Sequence, residues 1–481
     1  MFPGPVLAAL RDAPGRPAFE IGSRTVSRAE LLEMVHRLAG GLQDAGLGPG
    51  LGVGLVLSLS PEAYAVHLAA HALGCRVAAA RPGWSPPQLA DAMREQIDAV
   101  VSDQSPAGTA AGPQGVPEGV PVLRLADLLA RAGPGGSIRE QARPGDVARL
   151  TYTSGSTGQP KACAHTYRAI SLAYLPDRWA PVLAELLTHF ERCLIHQSLA
   201  SPVMFTYLGR CLVAGGTVVL ADERPLPEAI ERYRITATMM PPARLDHVMR
   251  SSADLSSLRA VVLGGSPAGP QLLRTATERL GPIVWQGYGQ GEAGVISMLT
   301  PDDIAVGHIT SVGRPLPAVE VAIRGGEICV RSPHMMAGYW SQPEQTLEVL
   351  RDGWLHTRDL GHLDADGLLY LTGRARDVIM VNAEVCYAGA IERVLAEHPQ
   401  VVHAYVVGVP DRETGEAIHA FVVPAADQAP DAEVLIELVR MRLSANSVPT
   451  SITVIRDVPV SASGKPDKRA LLGRTRTSPH A

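Results

Sequence analysis

The sequence predicts an α/β protein built around a large, doubly wound sheet system, and three observations support this fold class. Short, nearly continuous apolar runs, such as residues 53–57 and 259–263, are typical of parallel strands that are buried on both faces. Helical segments with an apolar face alternate with these runs, as they do in α/β folds. Aromatic residues make up only 4% of the chain, which also contains 47 glycines and 39 prolines. This composition favours a protein with many loops over an all-β shell.

The predicted elements follow one another in a regular order. Ser27 and Glu30 form a capping box that begins an amphipathic helix, and Ser60 with Pro61 begins the next helix. A further helix is predicted over residues 86–96. The strands predicted in this part of the chain are 53–57, 74–80, 99–102, 147–152, 217–220, 236–240 and 259–263. Ligands of such sheets bind beyond the carboxyl ends of the strands.

The composition changes after residue 363. Residues 364–367 read Asp-Ala-Asp-Gly and predict a hairpin turn between two short strands. The last part of the chain predicts a small α+β domain that ends in a loop carrying Lys465. Its predicted elements are a helix over 389–397, strands over 404–409 and 417–424, a helix over 432–443 and a strand over 452–455.

Residues 151–161 read Thr-Tyr-Thr-Ser-Gly-Ser-Thr-Gly-Gln-Pro-Lys and follow the predicted strand 147–152. Glycines let backbone N–H groups approach an anion closely, while the hydroxyls and Lys161 add donors and positive charge. This combination suits a polyphosphate. The run differs from the phosphate loop Gly-x4-Gly-Lys-Ser/Thr, and runs of this composition are also common in linkers. Both interpretations stay open on this run alone.

Charge and cysteine usage narrow the function classes. A formal net charge of −5 on 481 residues gives no reason to expect nucleic acid or an anionic membrane as a partner. The six cysteines are scattered without a C-x-x-C pair, which is typical of reduced cysteines in a cytoplasmic protein. We expect no secretory leader, because the first residues lack a basic region followed by an apolar run. We expect no membrane insertion, because no stretch reaches about 18 apolar residues. The oligomeric state stays open.

Six motifs in a fixed order resemble those of the adenylate-forming superfamily, which includes acyl-CoA synthetases, nonribosomal peptide adenylation domains and beetle luciferases. The motifs are Tyr-Thr-Ser-Gly-Ser-Thr-Gly-Gln-Pro-Lys at 152–161, Tyr-Gly-Gln-Gly-Glu at 288–292, Gly-Glu-Ile-Cys-Val-Arg-Ser at 326–332, Trp-Leu-His-Thr-Arg-Asp-Leu-Gly at 354–361, Gly-Arg-Ala-Arg-Asp at 373–377 and Ser-Gly-Lys at 463–465. Each motif is weak alone, but their joint order favours the phosphate loop over the linker. The resemblance covers essentially the whole chain and is closest in type to acyl-CoA synthetases.

The resemblance implies a domain organisation and a reaction. An N-terminal AMP-binding domain over 1–373, which includes a small β-barrel-like subdomain, would bind ATP and the acid. A hinge over 374–377 would join it to a mobile C-terminal domain over 378–481. In the implied reaction a carboxylate attacks the α-phosphate of Mg-ATP, and a thiol then attacks the resulting acyl-AMP. The implied cofactors are ATP, Mg²⁺ and CoA, or the phosphopantetheine of a carrier protein.

The resemblance also implies roles for single residues. Lys465, Glu292 and Thr153 would be catalytic: Lys465 would bridge the attacking carboxylate and the α-phosphate, and Glu292 would be the Mg²⁺ ligand. Tyr288 would stack on adenine, and Asp359 would accept hydrogen bonds from both ribose hydroxyls. The residues implied to bind ATP or AMP are Thr153, Ser154, Gly155, Ser156, Thr157, Gly158, Lys161, Gly265, Ser266, Pro267, Gln286, Gly287, Tyr288, Gly289, Gln290, Gly291, Asp359 and Arg374.

An apolar pocket for an aryl or fatty acid is predicted near the middle of the chain, with ordinary core packing as the open alternative for each residue. No acidic residue lies between Ser198 and Gly216, so no carboxylate is available there to pair with the ammonium group of an α-amino acid. The residues of the predicted acid pocket are Val203, Met204, Phe205, Tyr207 and Gly264.

Four positions depart from the family pattern, and one of them is Ala388, which replaces a common proline. Arg376 occupies the hinge position, where the family usually has Asp or Lys. Ala383 stands where a glycine is expected to line the thiol tunnel, and Gly291 replaces a threonine near the α-phosphate. Because losing one hydrogen bond to a charged group costs about 1.5–3 kcal/mol, Gly291 predicts slower adenylation.

The resulting prediction is an ATP-dependent acid–thiol ligase that acts on a small carboxylic acid, with CoA as the expected acceptor. One alternative is the loading of an acyl carrier protein, and another is an enzyme specialised for one half-reaction. A third is a non-catalytic binding protein on the same fold. Gly291 and Ala383 motivate these alternatives, whereas the intact Lys465, Glu292 and Asp359 argue against the third.

Overall fold

Four β-sheets and their flanking helices make up the fold in the computed structural model. The described residues are those of 1–481 other than 95–96, 105–112, 131–139, 154–160, 223, 376, 383, 426–429, 461–465, 469 and 472–481. No helix among them combines the length and apolar character that crossing a bilayer requires. All six cysteines are buried and free.

The strands in the described part of the chain are β1 Pro17–Ile21, β2 Arg24–Ser27, β3 Gly52–Val56, β4 Arg76–Ala79, β5 Ala99–Ser102, β6 Val122–Arg124, β7 Val147–Thr153, β8 Lys161–Thr166, β9 Arg192–Ile195, β10 Thr217–Leu220, β11 Ala237–Met240, β12 Ala260–Leu263, β13 Val284–Gln290, β14 Gly294–Leu299, β15 Arg314–Pro315, β16 Glu320–Arg324, β17 Glu327–Arg331, β18 Gly338–Tyr339, β19 Leu350–Arg351, β20 Trp354–Leu363, β21 Leu369–Arg374, β22 Val378–Val381, β23 Glu384–Tyr387, β24 Val401–Asp411, β25 Gly415–Pro424 and β26 Ser451–Val454.

The α-helices in the same residues are α1 Gly4–Asp12, α2 Arg28–Asp44, α3 Pro61–Ala72, α4 Pro86–Met93, α5 Leu125–Ala130, α6 Tyr167–Ser171, α7 Pro181–Leu187, α8 Pro202–Val213, α9 Leu226–Arg232, α10 Pro242–Arg250, α11 Pro270–Leu280, α12 Pro301–Ala305, α13 Pro343–Val349, α14 Ala388–Ala396 and α15 Ala432–Arg442. Short 3₁₀ turns lie at Leu172–Tyr174, Pro176–Arg178 and Ala445–Ser447.

Two large sheets form the predicted doubly wound part of the protein. A seven-stranded sheet has the order β18-β8-β7-β4-β3-β5-β6, and a nine-stranded sheet has the order β15-β14-β13-β12-β11-β9-β10-β1-β2. Their central strands pair in parallel. Every residue of β3, β4, β5, β11 and β12 is buried, as the continuous apolar runs predicted. One apolar cluster joins strands of both sheets with α2, α3 and α8.

Two smaller sheets complete the fold. Strands β16, β17, β19, β20 and β21 form an antiparallel sheet. This sheet corresponds to the small β-barrel-like subdomain that the resemblance implies. The predicted hairpin turn at 364–367 joins β20 to β21, where Asp364 Oδ1 accepts hydrogen bonds from the N–H groups of Asp366 and Leu368. Strands β22 to β26 form the last sheet, and a separate apolar cluster packs α14 and α15 against it. The predicted α+β arrangement is therefore confirmed.

Some predicted boundaries were wrong by a few residues. The strand predicted from residue 74 begins at Arg76, because Gly74 has a φ of +77° and forms a turn. The helix predicted over 86–96 is described as Pro86–Met93, and residues 95–96 lie outside the described part. The strand predicted over 404–409 extends over Val401–Asp411, since β25 pairs with it along its whole length.

Candidate active site

The predicted phosphate loop connects two antiparallel strands. Strand β7 ends at Thr153 and β8 begins at Lys161, and these two residues lie directly opposite each other. The Thr153 hydroxyl lies 3.5 Å from the Lys161 carbonyl oxygen, to which it donates a weak hydrogen bond. The five loop residues predicted to bind phosphate lie outside the described residues, namely Ser154, Gly155, Ser156, Thr157 and Gly158. The structure therefore fixes the two ends of the loop.

Glu292, the predicted Mg²⁺ ligand, lies close to one end of this loop. Its Oε1 accepts a hydrogen bond of 2.9 Å from the Tyr339 hydroxyl, and Lys161 Nζ lies 4.9 Å from the centroid of the Tyr339 ring. Burial and the neighbouring carboxylate raise the pKa of Tyr339, so its hydroxyl keeps its proton and remains a donor. A carboxylate oriented in this way suits Mg²⁺, which binds through one or two carboxylates together with substrate phosphates.

A buried carboxylate brings four of the predicted nucleotide-binding residues together. Asp359 on β20 is only 3% exposed. Its Oδ2 accepts hydrogen bonds from the Tyr288 hydroxyl at 2.7 Å and from Gln290 Nε2 at 2.6 Å, and its Oδ1 accepts one from Arg374 Nε at 2.9 Å. The two chain segments from 288–290 and 359–374 are thereby joined at one carboxylate. An ionised carboxylate offers about four acceptor sites, so capacity remains for a ribose hydroxyl.

Electrostatics favour a charged Asp359–Arg374 pair. Burial acts to lower the pKa of Arg374, but the adjacent Asp359 outweighs it and raises that pKa. Burial and Asp359 together raise the pKa of Tyr288, so the phenol stays a donor to the carboxylate. Tyr288 is thereby held by its hydroxyl, which fixes the orientation of the ring that we predicted to stack on adenine.

A neighbouring strand holds the loop 264–268, which contains the predicted ATP- or AMP-binding residues 265–267. Gly264 follows β12, and Gly265 has a φ of +87°, a conformation that glycine adopts without strain. The side chain of Gln286 is buried, and its Oε1 accepts a hydrogen bond of 3.1 Å from the Ala268 N–H. The Gln286 side chain thereby holds the loop 264–268, and its contact with the nucleotide stays a prediction.

Glycines at 289 and 291 allow close packing next to the site. A Cβ atom at Gly289 would lie 2.3 Å from the carbonyl oxygen of Gly294, so no larger residue fits there. A Cβ atom at Gly291 would lie 2.7 Å from Thr153 Cγ2. Glycine at position 291, where the family usually has threonine, therefore leaves room for the methyl group of Thr153.

Four of the five residues of the predicted acid pocket lie on one helix, α8. Helix α8 begins after Ser201, and Val203 on it is 45% exposed. Met204, Phe205 and Tyr207 are buried, and Tyr207 stacks on a core phenylalanine, Phe190, at 5.6 Å. Their exposure differs because a helix directs neighbouring positions to different faces, and the acid pocket formed by these residues stays a prediction. The Phe205 ring lies 4.9 Å from the His67 ring and 4.1 Å from the Arg149 guanidinium carbon, and Gly264 directly follows β12.

Three predicted positions of the C-terminal part lie outside the described residues: Arg376 of the hinge, Ala383 of the thiol tunnel and Lys465. Residues near them are described. Lys468 Nζ lies 2.8 Å from both Asp377 Oδ2 and Glu392 Oε1. This ion-pair cluster joins the segment that follows residue 465 to the end of the predicted hinge and to α14.

Sequence reasoning missed Tyr339 and Lys468. Tyr339 belongs to none of the six motifs, and its contact with Glu292 joins residues 47 positions apart in the chain. Lys468 follows the predicted catalytic lysine, Lys465, by three residues, and this closeness in sequence could have drawn attention to it. Its two carboxylate partners could not be predicted, because they come from distant elements.

Comparison with known proteins tests the family assignment. The AMP-binding enzyme family matches residues 7–340, and the AMP-binding enzyme C-terminal domain matches residues 390–465. A medium/long-chain fatty-acid–CoA ligase of Mycobacterium tuberculosis is 31% identical, over 98% of this chain and 89% of the relative. A feruloyl-CoA synthase of Amycolatopsis is 32% identical, over 95% of both chains.

Solved structures extend the comparison. An amide bond synthetase of Marinactinospora thermotolerans has a TM-score of 0.83 and 36% identity, covering 98% of this chain and 99% of that chain. An o-succinylbenzoate CoA synthetase of Bacillus subtilis, in complex with ATP and a magnesium ion, has a TM-score of 0.81 and 26% identity, covering 97% and 99%.

These similarities confirm three predictions: the adenylate-forming superfamily, the two-part α/β fold, and an enzyme rather than a non-catalytic binding protein. The reaction class, ATP-dependent activation of an acid followed by thioester formation, is the one that the CoA ligases among these relatives represent. Because the family match covers well over half of the chain, this protein belongs to the AMP-binding enzyme family.

Proposed function

We propose that this chain activates an aryl or fatty carboxylic acid as acyl-AMP, using Mg-ATP, and then transfers the acyl group to CoA. The observation that supports this most directly is the buried Asp359 carboxylate. Three predicted nucleotide-binding side chains donate hydrogen bonds to it. A carboxylate oriented in this way suits ribose hydroxyls, as in dinucleotide sites.

In the first step a carboxylate oxygen of the acid attacks the α-phosphorus of ATP, and the bond from that phosphorus to the pyrophosphate oxygen breaks. Thr153 lies where the phosphate loop begins, and its hydroxyl is suited to a phosphate oxygen. Glu292 would hold Mg²⁺, which supplies charge neutralisation at the phosphates. Positioning and charge neutralisation are most of what phosphoryl-type chemistry requires from a protein.

In the second step the sulfur of a thiol attacks the acyl carbonyl carbon, and AMP leaves. We propose that residues 378–481 form a mobile domain that carries Lys465 and rotates about residues 374–377 between the steps. Lys465 would stabilise the charge that builds between the acid and the α-phosphate. Arg376 would absorb the backbone rotation of the hinge, and Ala383 would line the thiol path.

The acceptor has two further candidates. The first candidate is an amine. It is supported by the similarity to the amide bond synthetase, which is 36% identical to this chain, whereas the two CoA ligases described above are 31% and 32% identical. A carrier-protein phosphopantetheine is motivated by Ala383, where the family usually has glycine. We place the reaction in the cytoplasm, because all six cysteines are free.

Acid-dependent exchange of pyrophosphate into ATP tests the first step. We expect exchange with at least one acid of a panel of aryl, short-chain and long-chain acids, and its loss in Lys465→Ala. Absence of exchange with every acid would overturn the proposal. So would full exchange activity in Lys465→Ala, since the proposed mechanism needs that cation.

Acyl-AMP supplied in equal amounts to CoA, a panel of amines and a holo carrier protein then identifies the acceptor. The proposal expects CoA to be used with the highest kcat/KM. Faster use of an amine or of the carrier protein would replace CoA as the acceptor and leave the activation step standing.

A further inference from the structure

A buried cation with no carboxylate partner among the described residues lies beside the predicted acid pocket. Arg149 is in β7, the strand that ends at Thr153, and the residue is only 4% exposed. Its Nη2 donates to the Leu199 carbonyl oxygen at 2.5 Å, and its guanidinium carbon lies 4.1 Å from the centroid of the Phe205 ring. Its Nε and Nη1 have no hydrogen-bond partner among the described residues.

The groups around Arg149 supply no negative charge. The ionisable side chains that act on it are Tyr174 and Tyr64, and no carboxylate of the described residues is among them. Burial lowers the pKa of Arg149 to about 10, so the guanidinium is still charged at neutral pH. Burying a charge is costly unless it is paired, so this position calls for an anion.

Neighbouring side chains add further polar atoms without partners, namely Tyr64 Oη, His67 Nδ1 and His71 Nε2. Burial lowers the pKa of both histidines, with Arg149 contributing, and that of His71 falls to about 3. Both rings are therefore neutral at physiological pH. His71 Nδ1 lies 2.6 Å from the His67 carbonyl oxygen, so this nitrogen carries the proton. Each buried polar atom left without a partner costs about 1–3 kcal/mol, and several at one place indicate a site for a polar group.

This polar cluster adjoins the start of α8. A cavity of about 10 Å³ is lined by His67 and by residues 198–200, which directly precede that helix. His67 lines this cavity and its ring lies 4.9 Å from that of Phe205, which packs against the Arg149 guanidinium, so the cavity lies next to the polar cluster. A volume of this size holds about one water-sized group.

We propose that Arg149, with Tyr64 and His67 beside it, forms the far end of the acid pocket and binds a second carboxylate of the substrate. The inference deepens the proposed function, on which it rests, by naming the acid class as dicarboxylic. The carboxylate supplies the counter-charge that Arg149 lacks and accepts hydrogen bonds from Nε and Nη1. A purely apolar acid would leave the guanidinium without a counter-ion.

Pairs of acids that differ only at the far end test this inference on the wild-type enzyme. Suitable pairs are hexanoate with adipate, octanoate with suberate, and 3-phenylpropionate with its para-carboxy derivative. Hydrogen bonds to charged groups contribute about 1.5–3 kcal/mol, so at the matching length we expect the diacid to show kcat/KM about 10- to 150-fold above that of the monoacid. Equal or better use of the monoacid at every length would overturn the inference.

Variants then assign the preference to Arg149. Arg149→Met should remove the preference by raising KM for the diacid, with KM for ATP unchanged, and Arg149→Lys should keep part of it. Arg210→Met is the matched control, because Arg210 is a buried arginine of α8 whose Nε is bonded to the Ala173 carbonyl oxygen. A diacid preference that survives in Arg149→Met contradicts the assignment.

The two proposals fail in different ways. If no acid at all supports exchange, the proposed function is wrong. If monoacids exchange well and diacids gain nothing at any length, the proposed function stands and the dicarboxylate site is wrong, with water as the occupant of the polar cluster.

Discussion

A side chain at position 291 should impair the enzyme, although the family usually carries a threonine there. A Cβ atom at Gly291 would lie 2.7 Å from Thr153 Cγ2, whereas non-bonded carbon atoms prefer separations of about 3.5–4.0 Å. Thr153 would therefore have to rotate or shift by about 1 Å. Because Thr153 begins the phosphate loop, we expect Gly291→Ala to weaken the productive binding of ATP.

The magnitude follows from the cost of overpacking. Extra carbon atoms in a packed site cost about 1–3 kcal/mol, which corresponds to about a 5- to 150-fold lower kcat/KM for ATP in the exchange assay. Thr153→Ser removes Cγ2 and keeps the hydroxyl, so alone it should change kcat/KM only about threefold. Combined with Gly291→Ala, it should restore most of the lost activity, as a double-mutant cycle would show.

Two results would refute this reasoning. Full activity in Gly291→Ala would show that the site accommodates the methyl group without displacing Thr153. A double variant as slow as Gly291→Ala alone would show that the contact with Thr153 is not the cause. Gly291→Thr provides a further comparison, since its hydroxyl restores the donor that the family usually has.

Three further substitutions test the contacts of the site. Asp359→Asn removes a charge that accepts hydrogen bonds, so kcat/KM for ATP should fall about 10- to 150-fold, from about 1.5–3 kcal/mol per charged hydrogen bond. Tyr339→Phe removes the donor to Glu292 and should raise the Mg²⁺ concentration needed for half-maximal exchange about fivefold, with KM for the acid unchanged. Lys468→Met leaves Glu392, whose side chain is 21% exposed, without its ion-pair partner and should lower the free energy of unfolding by about 1–3 kcal/mol. Burial raises the pKa of Glu392, so its proton is lost as the pH rises, and this destabilisation should be larger at about pH 8 than at about pH 5.

Each of these predictions has its own control. Asp359→Asn should keep its melting temperature within a few degrees, which separates a lost ligand from a lost fold. If Tyr339→Phe required the same Mg²⁺ concentration as the wild type, the Tyr339 hydroxyl would not contribute to Mg²⁺ binding. Lys468→Arg keeps the charge and should stay near wild-type stability at both pH values, and equal losses in Lys468→Met and Lys468→Arg would contradict the ion-pair explanation.

The strands and the motif loops were predictable because their signals are local. The apolar run at 53–57 marks a strand buried on both faces, and all residues of β3 are buried. The capping box of Ser27 and Glu30 was visible as two residues at a fixed spacing, and both of its hydrogen bonds are present. Errors of boundary occurred where a turn conformation decides, as at Gly74 with its φ of +77°.

The contacts of the site were not predictable in the same way, because they join distant parts of the chain. Tyr288 and Asp359 are 71 positions apart, and no periodicity connects them. The motifs indicated which residues matter, but not that both oxygens of Asp359 already accept hydrogen bonds within the protein. The environment of Arg149 was equally hidden, since a single arginine in an apolar strand gives no sign of which partners it lacks.

The central claim is that a carboxylate oxygen of the acid attacks the α-phosphorus of ATP, and an isotope label follows this bond directly. The acid is labelled with oxygen-18 in its carboxylate, and the AMP released in a complete turnover is analysed by mass spectrometry. We predict AMP that carries one oxygen-18 atom from the acid. Unlabelled AMP, or ADP as the nucleotide product, would contradict the claim.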